Sequence, residues 1–183
     1  MRAITILVLF LLLISVSSAK HEVVTMGPCR VSFDLNTTQK YTINVSKPDY
    51  GETYSGDKYV GYDLWLVNTD LRPEDTRLYQ PASIYLSLFN NTTMDKSIES
   101  MKSSIGDDLS NQGIYSYETH NRIIDGQPGV IGVGEDSNGY TFLAANYWST
   151  LTDLRDTKIQ IFSLYPWKPE TLSLLKTIHV ELL

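Results

Sequence analysis

Between Ile123 and Trp148 the chain reads IIDGQPGVIGVGEDSNGYTFLAANYW. The dipeptides Asp125-Gly126 and Asn138-Gly139 bracket a short apolar run, and a long aromatic-aliphatic run follows them. Asx-Gly pairs supply the positive φ that tight hairpin turns require. The stretch therefore predicts a β-hairpin of Gly129 to Val133 against Tyr140 to Trp148, entered through a tight corner at Asp125. Gly129, Gly132 and Gly134 resemble a phosphate loop only superficially, because such a loop sits between a strand and a helix with free amides. Here the glycines alternate with valine and isoleucine inside a hairpin arm, which suits close packing or a bulge.

Segments with a period of two surround this hairpin. Val31, Phe33 and Leu35 alternate with polar neighbours, and Tyr41, Ile43 and Val45 repeat the pattern after a polar turn, so the two predict a first hairpin. Tyr59 to Val67, Ser83 to Phe89, Ile114 to Ile124 and Lys158 to Tyr165 read as further strands. The stretches Lys47 to Lys58, Asn68 to Pro81 and Ser149 to Thr157 read as loops. Between strands the period changes. Met94, Ile98, Met101, Ile105 and Leu109 form the stripe of an amphipathic helix, with Thr92 or Thr93 to cap it and Gly113 to close it. Lys96, Glu99, Lys102, Asp107 and Asp108 fall largely on its wet side. Pro169 and Glu170 suit the first turn of a second helix with Leu172, Leu175, Ile178 and Leu182 on its buried face. The expectation is an α+β fold, an antiparallel β-sheet with one mid-chain helix and one C-terminal helix packed against it.

At 183 residues and 42% apolar content the chain has material for one sizeable core, which excludes the disordered class. Residues 1–19 read as a signal peptide, with Arg2, an apolar run from Ile4 to Val16, and small residues ending at Ala19. The run is shorter than a bilayer-spanning helix, so no membrane span is expected after cleavage, and residues 20–183 form the domain. Loss of Arg2 leaves 14 basic against 21 acidic residues, a net charge of −7. Without a basic cluster, nucleic acid is not an expected partner. Cys29 is the one cysteine, so no intramolecular disulfide can form. Beside the VSF run it reads as a buried apolar residue. Sequons begin at Asn36, Asn44, Asn90 and Asn91, candidate glycosylation sites in an exported protein.

No nucleophile elbow, zinc-protease helix or spaced cysteine pair occurs. Glu118 and His120 share a strand face but lack a third ligand at motif spacing, and Asp125, Glu135 and Asp136 are near only in sequence, so no metal is expected. His21 lies near the start, and His179 lies beside the last apolar stripe. The adjacent acids Asp107-Asp108 and Glu135-Asp136 are ordinary wet surface. No catalytic residue and no cofactor is expected, and an enzyme is the less favoured class. The chain does hold twelve tyrosines and three tryptophans. Tyr50, Tyr54, Tyr59 and Tyr79 lie in or beside the expected long loops and are candidates for a contact surface, since aromatic rings give rigid contact area to proteins or sugars.

The helix from Met94 to Leu109, the strand ending in RIIDGQPG (Arg122 to Gly129), the hairpin with its aromatic second arm, the strand IQIFSLYP (Ile159 to Pro166) and a final helix together resemble the Mog1/PsbP-like α/β domains. The resemblance covers about half of the chain. The whole also resembles uncharacterised secreted proteins of archaea. Members of the Mog1/PsbP group work mainly as accessory and interaction domains, including an extrinsic subunit of a photosynthetic complex and a small-GTPase binding factor. The resemblance implies a noncatalytic binding or accessory module, here exported to the cell surface, with a protein or glycan partner. The alternative is an extracellular or cell-envelope hydrolase whose site is dispersed in sequence.

Overall fold

The computed structural model describes residues 19–74, 76–152, 155–164 and 168–183. The expected signal segment, Ala19 aside, lies outside the described residues, as do Tyr165, Pro166 and Trp167. In chain order the elements are β1 (Lys20–Met26), β2 (Cys29–Leu35), β3 (Tyr41–Val45), β4 (Asp49–Glu52), β5 (Lys58–Asn68), α1 (Thr76–Tyr79) and β6 (Ala82–Asn90). There follow α2 (Ile98–Asn111), β7 (Tyr117–Ile124), β8 (Gln127–Glu135), β9 (Thr141–Thr152), β10 (Arg155–Leu164), α3 (Lys168–Thr177) and β11 (His179–Leu182). The fold is α+β, antiparallel throughout its strand pairs, with a mid-chain and a C-terminal helix against the sheets.

The large sheet has the order β3-β5-β6-β10-β9-β8-β7, with β4 also paired to β5. The expected central hairpin is present, with Gly129 opposite Tyr147 and Glu135 opposite Thr141. The corner before it is a two-residue turn joining β7 to β8. Asp125 and Gly126 have φ of 52° and 71°, the backbone that an Asp-Gly pair supplies. Gly132 lies under α2, where a methyl group would overlap Ile105.

Alternation assigns the two faces of the large sheet. Leu64, Leu66, Ile84, Leu86, Ile159, Ile161, Leu143 and Tyr147 point to one side. There they meet Val31, Phe33 and Leu35 of β2, Leu174 and Leu175 of α3, and Val180 of β11. Phe89, Val130, Phe142, Ala144 and Trp148 point to the other side, against Met101, Ile105 and Leu109 of α2. At roughly 25 cal/mol per Å² of apolar surface, these two cores supply the main driving force for folding.

Several expectations are corrected. β2 does not pair with β3: it lies between β1 and β11 in a separate three-stranded sheet, while β3 pairs with β5. Alternation marks both strands correctly but cannot choose partners. The stretch Lys47 to Lys58 is not one loop, because Asp49–Glu52 adds to β5 and leaves Lys47 and Pro48 before it and a tight turn at Thr53 to Asp57 after it. The Asn68 to Pro81 stretch holds α1. α2 starts later than Met94, at Ile98, because Ser97 caps it by accepting a hydrogen bond from the Ser100 amide. Ser149 to Thr157 is mostly strand, since β9 runs to Thr152 and β10 begins at Arg155. The last helix ends at Thr177, so Leu182 belongs to β11, and Leu172 is exposed while Thr171 is buried. His21, near the start, lies in β1, a strand the sequence reading did not assign, with Nδ1 2.8 Å from Asp34 Oδ1.

Candidate functional site

On the α2 side of the large sheet the helix covers β8 and β9 but not β5 and β6, and a cleft of about 640 Å³ opens along its flank. One wall is the helix itself. Ser100, Ser103, Ser104, Asp107 and Asp108 recur at steps of three, one, three and one, a second stripe beside the apolar one. The opposite wall is the end of the β4–β5 hairpin, with Glu52, Thr53, Tyr54 and Tyr59. Asp57, in the hairpin turn, accepts hydrogen bonds from the Thr93 amide (3.1 Å) and hydroxyl (3.0 Å), so it ties this wall to the segment leading into α2. The Thr93 amide bond, ahead of the bonds from Ser55 and the Thr93 hydroxyl, holds the Asp57 carboxyl below the usual range.

The floor is built from every second residue of β9 and β10: Trp148, Lys158 and Gln160. The rings of Tyr59, Phe89 and Trp148 form a continuous row, with successive centroids 5.5 and 5.6 Å apart. Lys96 is outside the cleft lining, its Nζ 5.7 Å from the Trp148 ring centroid and 2.5 Å from Asp156 Oδ1. Lys158 Nζ donates to Ser104 Oγ at 2.9 Å, and Gln160 Nε2 donates to Asp108 Oδ2 at 3.0 Å. Two polar struts therefore hold floor to helix.

Burial shifts both ends of this network towards neutrality. The Lys158 ammonium loses proton affinity mainly by desolvation, which nearby Asp108 and Asp107 oppose. Asp108 gains proton affinity mainly by desolvation, opposed by Lys158, Gln160 and Asn146. The Lys158–Ser104 pair has the composition of a nucleophile and its base. The two aspartates oppose that loss, and in the geometry present Nζ donates to Oγ, an arrangement that does not activate that oxygen. Along the same sheet row lie Asp63 and Tyr85, with Asp63 opposite Tyr85 and Tyr85 opposite Gln160. Burial raises the Asp63 carboxyl to about 6, and the Tyr85 hydroxyl is raised by burial and then by Tyr59, Asp49 and Asp63.

The four candidate contact tyrosines do not form one patch. Tyr54 and Tyr59 line the cleft. Tyr50, 76% exposed, lines a smaller hollow of about 310 Å³ with Pro28, Tyr59 and Tyr62. Tyr79 lies in α1 just before β6, whose far end carries Phe89 opposite Tyr59. Asn36, Asn44, Asn90 and Asn91 are all exposed. The Cys29 side chain is buried. His120 Nε2 lies 3.7 Å from Glu118 Oε2, and no group of three metal-ligating side chains forms among the described residues. Asp125 instead accepts from the Val180 amide at 3.0 Å and lies 2.8 Å from His179 Nδ1, and Asp136 accepts from the amides of Asn138 and Tyr140 within its own turn.

Sequence reasoning passed over Ser100, Ser103, Ser104, Lys158 and Gln160. It also placed Asp108 on the wet side, whereas that residue is half-buried in the cleft wall. The legible signals were the serine-aspartate stripe beside the apolar one and a lysine within the strand run KIQIFSL.

Among the described residues no helix is long and apolar enough to cross a membrane. No protein-family model and no curated protein matches the chain. Among solved structures it is similar to a mutant of protein Mog1, with a TM-score of 0.38 and 16% identity over 69% of this chain and 82% of that one. The likeness brings no residue, partner or activity across.

Proposed function

We propose that the chain is an exported, noncatalytic binding or accessory module at the cell surface, whose partner is a protein or a glycan. The cleft flanking α2 carries this reading: it combines aromatic rings, hydroxyls and carboxylates in about 640 Å³, and its lysine is held in a hydrogen bond that does not activate Ser104. The apolar leader at residues 4–16 supports export, and the exposure of all four sequon asparagines suits surface glycosylation. Recovery from the native envelope or medium with crosslinked partners tests it, through identification of those partners by mass spectrometry. Repeated recovery of the protein alone would overturn the reading.

Hydrolysis of extracellular or cell-envelope material is the second reading. It is favoured by Asp108, a cleft carboxyl whose proton affinity burial raises towards that of a general acid. Turnover of envelope polymers that disappears in Asp108→Asn, with binding retained, would replace the first reading by the second.

A further inference from the structure

We propose that the occupant of the cleft is a basic polypeptide segment, its lysine or arginine side chains meeting Glu52, Asp95, Asp107 and Asp108 between the rings of Tyr54 and Tyr59. This rests on the binding-module reading and names the class of partner.

Charge pairing is uneven over the molecule, and Asp49, Asp63 and Glu135, outside the cleft lining, have no ion pair among the described residues. Away from the cleft lining, Glu22, Asp34, Asp125, Asp156 and Glu181 each have a cationic or imidazole nitrogen within 2.8 Å. Among the described residues, none of Glu52, Asp95, Asp107 and Asp108 has an ion-pair partner within 4.0 Å. The one cation in the lining, Lys158, donates to Ser104 instead. Four acids against one base give the cleft a field that favours cations, and aromatic rings at its wall add to that preference.

Below the floor lies an independent sign of an absent partner. Asn146 is 1% exposed; its amide lies beside Asp108 and helps to lower that carboxyl's proton affinity, while its oxygen has no hydrogen-bond partner among the described residues. Its cross-strand neighbour is Gln160, so it shares the cleft face, and its amide lies near Asp108. Buried amides are ordinarily satisfied. That oxygen is an unused acceptor beside Gln160 of the cleft floor.

A polypeptide fits better than a small polyamine. The acids come from three places: the end of β4, the segment before α2, and the later turns of α2. Between them Thr53, Ser100, Ser103 and Gln160 offer donors as well as acceptors, and a peptide backbone has carbonyls to meet the donors where a protonated polyamine has no acceptor. The short serines also leave room along the helix for a main chain.

The test is fluorescence anisotropy of a labelled oligolysine peptide on the purified protein at physiological ionic strength. Parallel arms use oligoglutamate, spermidine as competitor, and neutral oligosaccharides. Saturable binding is expected that weakens about tenfold in Asp107→Asn with Asp108→Asn, as two ion pairs predict. A Glu118→Gln with Glu135→Gln protein has the same net charge, and its affinity should change less than about twofold because those acids are screened from the cleft. Tyr54→Ser, at a fully exposed position where packing is untouched, should also weaken binding.

Equal losses in the two double variants would reduce the effect to bulk charge and overturn the assignment, as would spermidine competing as well as the peptide. Neutral oligosaccharide bound in place of oligolysine would also overturn it while leaving the binding-module reading intact. Binding of no probe, with no partner crosslinked in the native setting, would remove both.

Discussion

Asp63 and Gly132 illustrate how single positions carry the environment of this sheet. The Asp63 carboxyl binds its proton more tightly in the folded protein than its ordinary value of 3.8, at about 6, chiefly through burial. A raised folded-state value means that the stabilising contribution is full below about pH 4 and is lost as pH rises through about 6. Asp63→Asn should therefore stabilise the protein at pH 7 by about 1 kcal/mol, after allowance for solvent screening at a half-exposed group. Urea denaturation of both proteins at pH 7 and pH 4 checks this, and a difference that is larger at pH 4 would contradict the sign. Gly132 has no room for a side chain, because a methyl there overlaps Ile105 of α2. Gly132→Ala should cost about 1–3 kcal/mol as an overpacked site. Neither effect could be read in full from the sequence: Asp63 sits in an alternating strand like any outward acid, and Gly132 reads as close packing or a bulge without showing that Ile105 is what packs on it.

α2 shows how far elements were legible. Its apolar stripe was plain, because a step of three and four residues has one geometric meaning. Its start was not, since Thr92, Thr93 and Ser97 can all cap and only backbone direction selects among them. Ser97 has extended φ and ψ of −65° and 157° and caps through Ser100. Ser97→Ala should lower stability by about 1 kcal/mol, measured by thermal or urea unfolding. Substitution of Thr92 should not reproduce a helix-capping loss. The β4–β5 hairpin depends on Asp57 for its attachment to the α2 leader. In Asp57→Ala the Thr93 amide should lose protection in hydrogen exchange while the amides of β10 keep theirs. The candidate cleft depends on both elements at once, which explains why its serines and Lys158 were not singled out. They lie on different elements separated by about fifty residues, and no local spacing links them.

At the scale of the whole molecule, one sheet shared by two cores makes the fold cooperative. Ile159 faces β2 and α3, whereas Met101 packs on the opposite face from α2. Ile159→Ala and Met101→Ala should each lower stability by about 2–5 kcal/mol. In each variant, unfolding followed by far-ultraviolet circular dichroism should coincide with unfolding followed by tryptophan fluorescence. Separate transitions would mean that the two layers unfold independently. The sequence by itself determined the strands other than β1, β4 and β11, the two longer helices, the Asp125-Gly126 corner and the central hairpin, because period and turn chemistry act over a few residues. Only the tertiary structure decided that β2 joins β1 and β11 in a second sheet, that Asp49–Glu52 becomes a strand, and that Lys158 meets Ser104 beside Asp108 in a cleft. Those outcomes depend on which apolar faces bury one another across the chain. Burial, unlike periodicity, belongs to the assembled molecule and to no single segment of it.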